Sequence, residues 1–229
     1  MKHKMQKHRL ITENPVSRVA ESYRMLRTNI QFSSLDKPIK TILCTSTAPG
    51  EGKSTTVANL AIAFAQTGSK VLIIDADLRR PTIHKAFGIS NPLGLTNLLM
   101  QSVAQEIALR DVGIPNLRVV TSGPIPPNPA EVLGSARMRE LLQKFSQQFD
   151  YILIDSPPTL AVTDSSVLSS IVDGVILVVG ADEVSTDKAK KAKAQLDGVK
   201  ANILGVVLNG AEQDSNDDYY YYYSRKTGK

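Results

Sequence analysis

The sequence predicts an α/β protein, a three-layer domain whose mostly parallel sheet is covered by helices on both faces. Short, near-continuous apolar runs recur along the chain, which is how strands buried on both faces read. Helical segments separate these runs, as parallel connections require. Between the first run, residues 39–45, and the alanine-rich segment 57–65 lies Gly52-Lys53-Ser54, in the strand–loop–helix order of a phosphate-binding P-loop.

The chain's 229 residues suit one domain with a proper core, and 42% hydrophobic with 21% charged residues is the balance of a soluble globular protein. Domain boundaries are expected at a flexible basic arm, residues 1–14, a domain at 15–210 and a flexible tail at 211–229. The single cysteine, Cys44, falls in an apolar run, so a reducing compartment and a core role are expected. No apolar run approaches the ~18 residues of a membrane span. The basic start lacks the apolar core of a secretory signal, so the reading is cytoplasmic. Net charge is +5, with cations clustered at residues 2–9 and 188–193. These are read as solvated surface, an anionic membrane face or a nucleic-acid site. No aromatic residues interleave with them, so no nucleic acid is expected.

Taken in order, a helix starts with Ser17 as N-cap, Pro15 just ahead of it. On a wheel of 100° per residue with Glu21 at 0°, Val19, Tyr23, Leu26 and Ile30 fall between roughly 140° and 200° and are expected to pack on the domain. Glu21, Arg24 and Arg27 form a stripe on the other side, either an i,i+3 ladder or a subunit contact. Strand 70–74 ends at Asp75-Ala76-Asp77, residues 81–94 read as irregular, and a short helix and a short strand follow at 95–100 and 117–121. The proline-rich stretch 123–129 forbids regular structure, and one helix is expected over about 130–149. Strand 151–155, helix 164–171, strand 174–179, helix 184–196 and strand 202–208 complete the alternation.

In the loop, Pro49, Gly50, Glu51, Gly52, Lys53, Ser54 and Thr55 would hold the phosphates, with backbone N–H groups turned inward at a helix N-terminus. Lys53 would reach the β- and γ-phosphates of ATP and Ser54 would ligate Mg2+. The usual first glycine of the pattern is Thr47 here. Asp155 fits a carboxylate holding Mg2+. Asp75 and Asp77, two apart, are expected to point the same way, one helping with metal and the other facing a nucleophile. Lys53, Asp75 and Asp77 are thus the candidate catalytic residues, and Ser54, Asp77 and Asp155 the candidate metal ligands. Tyr219, Tyr220, Tyr221, Tyr222 and Tyr223 form a run flanked by polar residues, either a β-prone tail or a set of phosphoacceptors.

From about Ser17 onward, these motifs together resemble the bacterial tyrosine kinases (BY-kinases) of capsule and exopolysaccharide synthesis, in their two-polypeptide form. The resembling segments are the Walker A loop 47–55, the Walker A′ strand 71–77, the Walker B segment 152–155, the Glu21/Arg24/Arg27 stripe, residues 123–129 and the tyrosine run. The resemblance implies a P-loop NTPase fold of the deviant-Walker (SIMIBI-like) branch and autophosphorylation in trans within a homo-oligomeric ring, an octamer, joined through the stripe. It further implies activation by a transmembrane adaptor of polysaccharide co-polymerase type, further protein substrates, and a place at the inner face of the cell membrane. Asn209 is where the superfamily contacts adenine. The relatives that position chromosomes and division sites carry a lysine where this chain has Ala48, which speaks against that branch. A nucleotide-switch ATPase without kinase activity and a non-catalytic scaffold are the alternatives.

Overall fold

A computed structural model describes residues 10–33, 38–181 and 184–211. The arm's first nine residues and the tail from 212, with all five tyrosines of the run, lie outside the described residues. Strands β1 (Thr41–Ser46), β2 (Val71–Asp75), β3 (Arg110–Asp111), β4 (Leu117–Val120), β5 (Tyr151–Asp155), β6 (Gly174–Gly180) and β7 (Ile203–Asn209) form one sheet. Their order is β3-β4-β2-β5-β1-β6-β7, with every pair parallel except β3 with β4.

Successive side chains of each inner strand enter opposite layers, because a strand's side chains alternate faces. Ile42, Cys44, Ile73 and Leu153 pack beneath α1 (Arg18–Ser33) and α2 (Lys53–Ala65). Leu43, Leu72, Ile74, Ile152 and Ile154 face the opposite layer. There they meet residues of α4 (Leu95–Leu99), α6 (Pro129–Leu133), α7 (Ala136–Ser146), α8 (Asp164–Ser169) and α9 (Thr186–Gly198). The remaining helices are one-turn pieces, α3 (Ile83–Ala86) and α5 (Gln105–Ala108). Among the described residues, no helix is long and apolar enough to cross a membrane.

Several elements differ from expectation. Helix α1 does start after Ser17, whose hydroxyl accepts the Ala20 N–H at 3.1 Å. Its packed face, however, is turned toward Ala20, with Tyr23 and Ile30 also buried, and Val19 is left 59% exposed. As the loop's placement at a helix N-terminus predicts, α2 begins at Lys53, where the glycines deliver the chain directly into helical geometry. The single helix expected over 130–149 is two, α6 and α7, broken at Gly134 and Ser135. Gly134 stands where a Cβ would come 3.1 Å from Val167 of α8, so the break lets two helices approach closely. Helix α3 occupies part of the stretch read as irregular.

Candidate active site

The parallel register carries the acids into place. Asp155 is the Cα partner of both Cys44 on β1 and Asp75 on β2, so the last residues of β2 and β5 lie side by side next to the strand that feeds the loop. Ligands of open parallel sheets bind outside these carboxyl ends.

The loop turns on Gly50 and Gly52, at φ +93° and +85°, values that favour glycine. The first intrahelical bond of α2 runs from Thr56 N to the Gly52 carbonyl at 2.9 Å, so the N–H groups of Lys53, Ser54 and Thr55 precede the ladder and open the helix. Lys53 Nζ lies 3.1 Å from Asp77 Oδ2 and 3.7 Å from Asp155 Oδ1. Ser54 Oγ donates to Asp155 Oδ2 at 2.5 Å. The structure thus brings Lys53, Ser54, Asp77 and Asp155 together.

Asp75 and Asp77 are turned to different partners, against the expectation of a common direction, because β2 stops at Asp75 and strand alternation stops with it. Asp75 Oδ2 accepts from Thr82 N at 3.2 Å and Ile83 N at 3.1 Å, capping α3, while Asp77 Oδ1 accepts from Arg80 N at 2.9 Å.

The site is short of positive charge. Burial opposes the Lys53 ammonium, but Asp155, Asp77 and Asp75 outweigh it and raise its pKa. Burial lifts Asp155 above the carboxylate range, though Lys53 and Ser54 pull it back. Asp75 is lifted well above that range by burial and then by the Asp155 charge, against which the Ile83 N–H works. Asp75 Oδ1 and Asp155 Oδ1 are buried without hydrogen-bond partners. Hard oxygens, excess negative charge and two orphaned lone-pair sites fit a divalent cation such as Mg2+. Among the described residues, no three acidic, His or Cys side chains could hold a metal by themselves, so phosphate and water oxygens would complete its shell.

Asn209 ends β7 against the loop, its Nδ2 donating to the Glu51 carbonyl at 3.1 Å. The amide expected to contact adenine is therefore engaged with the loop itself. Arg27, expected on the outward stripe, reaches α2 instead, with Nη1 donating to the Ala63 carbonyl at 3.1 Å. Arg24 remains outside, 2.9 Å from Glu21 and bonded to the Pro15 carbonyl.

Sequence reasoning missed two parts of the site. One is the role of the Glu51 side chain: the residue is expected to hold phosphate, but its carboxylate folds back onto Thr47 and Ala48. The other is Arg79, whose Nε and Nη2 hold buried Asp164 at 2.9 and 3.0 Å, tying the loop after β2 to the start of α8. An arginine two residues beyond Asp77 was its only trace in the sequence.

A mostly parallel sheet with this loop after β1, the neighbour of the central strand β5, defines a nucleotide-binding P-loop NTPase. A family profile described as "ParA: NUBPL iron-transfer P-loop NTPase" matches residues 38–228. Tyrosine-protein kinase YwqD of Bacillus subtilis (strain 168) is 46% identical over 207 residues, 90% of this chain and 87% of YwqD. The crystal structure of the chimerical protein CapA2B2 superposes with a TM-score of 0.86 at 39% identity, covering 89% of each chain. The kinase domain of the Escherichia coli tyrosine kinase ETK gives 0.86 at 32%, covering 94% of this chain and 85% of that domain. The chain belongs to the bacterial tyrosine-protein kinase family, within the ParA-type P-loop NTPases.

Proposed function

We propose that this chain is an ATP-dependent protein-tyrosine kinase that phosphorylates the tyrosine run 219–223 of a neighbouring copy. The observation that carries this reading is Lys53 held between Asp77 and Asp155 at the opening of α2. ATP lies on the amides of residues 50–55, and Lys53 neutralises its β- and γ-phosphates. Ser54 and Asp155, with Asp77 beside them, would hold Mg2+, which when bound would supply positive charge to the phosphate oxygens. Of Asp75 and Asp77, one helps with the metal while the other faces the incoming phenol and orients it. Its oxygen bonds to the γ-phosphorus as the bond to the β-phosphate oxygen breaks, and ADP leaves with that electron pair. A carboxylate is a poor base for a phenol of pKa ~10, so the proton is accepted late and orientation is the main contribution.

The ring, an octamer, is closed through the α1 stripe. A separate transmembrane adaptor of polysaccharide co-polymerase type activates the kinase and keeps it at the inner face of the membrane, where it regulates capsular or exopolysaccharide synthesis. Each phosphate adds about −1.5 to −2 charges, so a phosphorylated tail loosens the ring by repulsion.

The test is incubation with labelled Mg·ATP and the adaptor's cytoplasmic segment. Lys53→Met and a variant with Tyr219, Tyr220, Tyr221, Tyr222 and Tyr223 all changed to Phe are each expected to stay unlabelled. Their mixture is expected to regain label, because one supplies the tail and the other the site. Label on Lys53→Met alone refutes the assignment of Lys53, and an unlabelled mixture refutes transfer in trans.

A further inference from the structure

Glu51 is an acid inside a loop that receives phosphates, yet it is only 2% exposed. A buried carboxylate is costly unless hydrogen bonds replace its water. Here Thr47 N and Ala48 N donate to Oε2 at 2.8 and 3.2 Å, and Thr47 Oγ1 donates to Oε1 at 2.5 Å. Among the described residues, no Lys, Arg or His stands within ion-pair distance of it. The charge is met by the loop's own amides and one hydroxyl.

The loop is also tied from outside. Asn209 Nδ2 donates to the Glu51 carbonyl, and a Cβ on Gly52 would sit 2.0 Å from that nitrogen. Glu51 is therefore gripped by its side chain toward residues 47 and 48 and by its backbone toward β7. This also accounts for Thr47 standing where the usual pattern has glycine, since its hydroxyl is one of the donors that hold Glu51.

We infer that Glu51 is a positioning residue for nucleotide, its carboxylate holding the loop in the phosphate-receiving shape before the ligand arrives, with Asn209 as the outer anchor. A loop already in its bound shape gives up less conformational freedom on binding, and the saving appears as affinity. The inference rests on the nucleotide-binding reading of the loop.

The experiment titrates a fluorescent ADP analogue, with Mg2+, into the full chain as wild type, Glu51→Ala, Glu51→Gln and Thr47→Val, alongside melting curves without nucleotide. Glu51→Ala is expected to weaken binding roughly ten- to a hundredfold, the scale of hydrogen bonds to a charged group. Glu51→Gln, which keeps an acceptor for the two amides, is expected to recover most of that loss, and Thr47→Val to weaken binding about threefold. In turnover assays the same variants should raise KM for ATP more than they lower kcat. Wild-type affinity in Glu51→Ala overturns the inference, as does an equal loss in Glu51→Ala and Glu51→Gln that follows their melting temperatures. If Glu51→Ala does not fold, unchanged affinity in Thr47→Val overturns it. A wild type that does not bind the analogue overturns the nucleotide reading itself, which separates the two failures.

Discussion

Asp75 is wholly buried at the end of β2, with one oxygen capping α3 and the other without a partner. Burial, then the neighbouring Asp155 charge, raises its pKa well above the usual carboxylate value. A raised folded-state pKa means that the native protein binds this proton more tightly than the unfolded chain. The stability it gives is complete below the unfolded value, near ~3.9, and is lost as pH rises through the folded pKa. Ionised Asp75 is therefore a liability at neutral pH in the absence of cation. Asp75→Asn keeps an acceptor for the Thr82 and Ile83 amides while removing the charge. In EDTA, its melting temperature is expected to exceed that of wild type by a margin that widens from pH 4 to pH 8, with each kcal/mol worth roughly 2–4 °C. A margin constant across that range would count against the assignment. The same substitution is expected to lower phosphotransfer, because strain and uncompensated charge persist where function needs them.

The loop after β2 and the start of α8 are clasped by Arg79 and Asp164, the arginine 41% exposed and the aspartate fully buried. Removing one partner of a buried pair costs ~3–5 kcal/mol, but water already reaches this guanidinium, so Arg79→Ala is expected to cost about 2 kcal/mol. Urea unfolding measures it, and Arg79→Met with Asp164→Leu should recover most of the loss by replacing the pair with apolar contact. No recovery would show that the clasp does more than satisfy Asp164. Such clasps also mark where the sequence stops being legible. Strands β1, β2, β5 and β6 announce themselves as apolar runs because both of their faces are buried. The loop, Lys53 and Asp155 could be placed because strand, turn and helix follow one another locally. Helix α3 could not, since it depends on Asp75 capping from several residues away. Nor could the α6–α7 break, which depends on Val167 of a later helix. The inward fold of Glu51 and the docking of Asn209 likewise depend on contacts that no spacing encodes.

At the scale of the whole molecule, the phosphate loop follows β1 near the middle of the sheet, while α1 lies on the layer over α2 with one side still open. That open side carries Glu21 and Arg24 together with exposed Met25 and Phe32. Apolar residues beside charges that can pair across a boundary suit the proposed subunit contact. Arg27 is the exception, because its guanidinium already reaches the carboxyl end of α2, where a cation also meets the helix dipole. The two arginines should therefore fail differently. Arg24→Ala loses only an exposed i,i+3 pair and a surface carbonyl contact, so folding should change by no more than ~0.5 kcal/mol while the proposed ring falls apart. Arg27→Ala should lose both assembly and about 1 kcal/mol of stability, through the broken bond to Ala63. Light scattering for mass and thermal melting for stability, with nucleotide titration to show the site intact, separate these outcomes. Undiminished mass in Arg24→Ala would leave Glu21 and Arg24 as a surface ladder and move the contact elsewhere on the molecule.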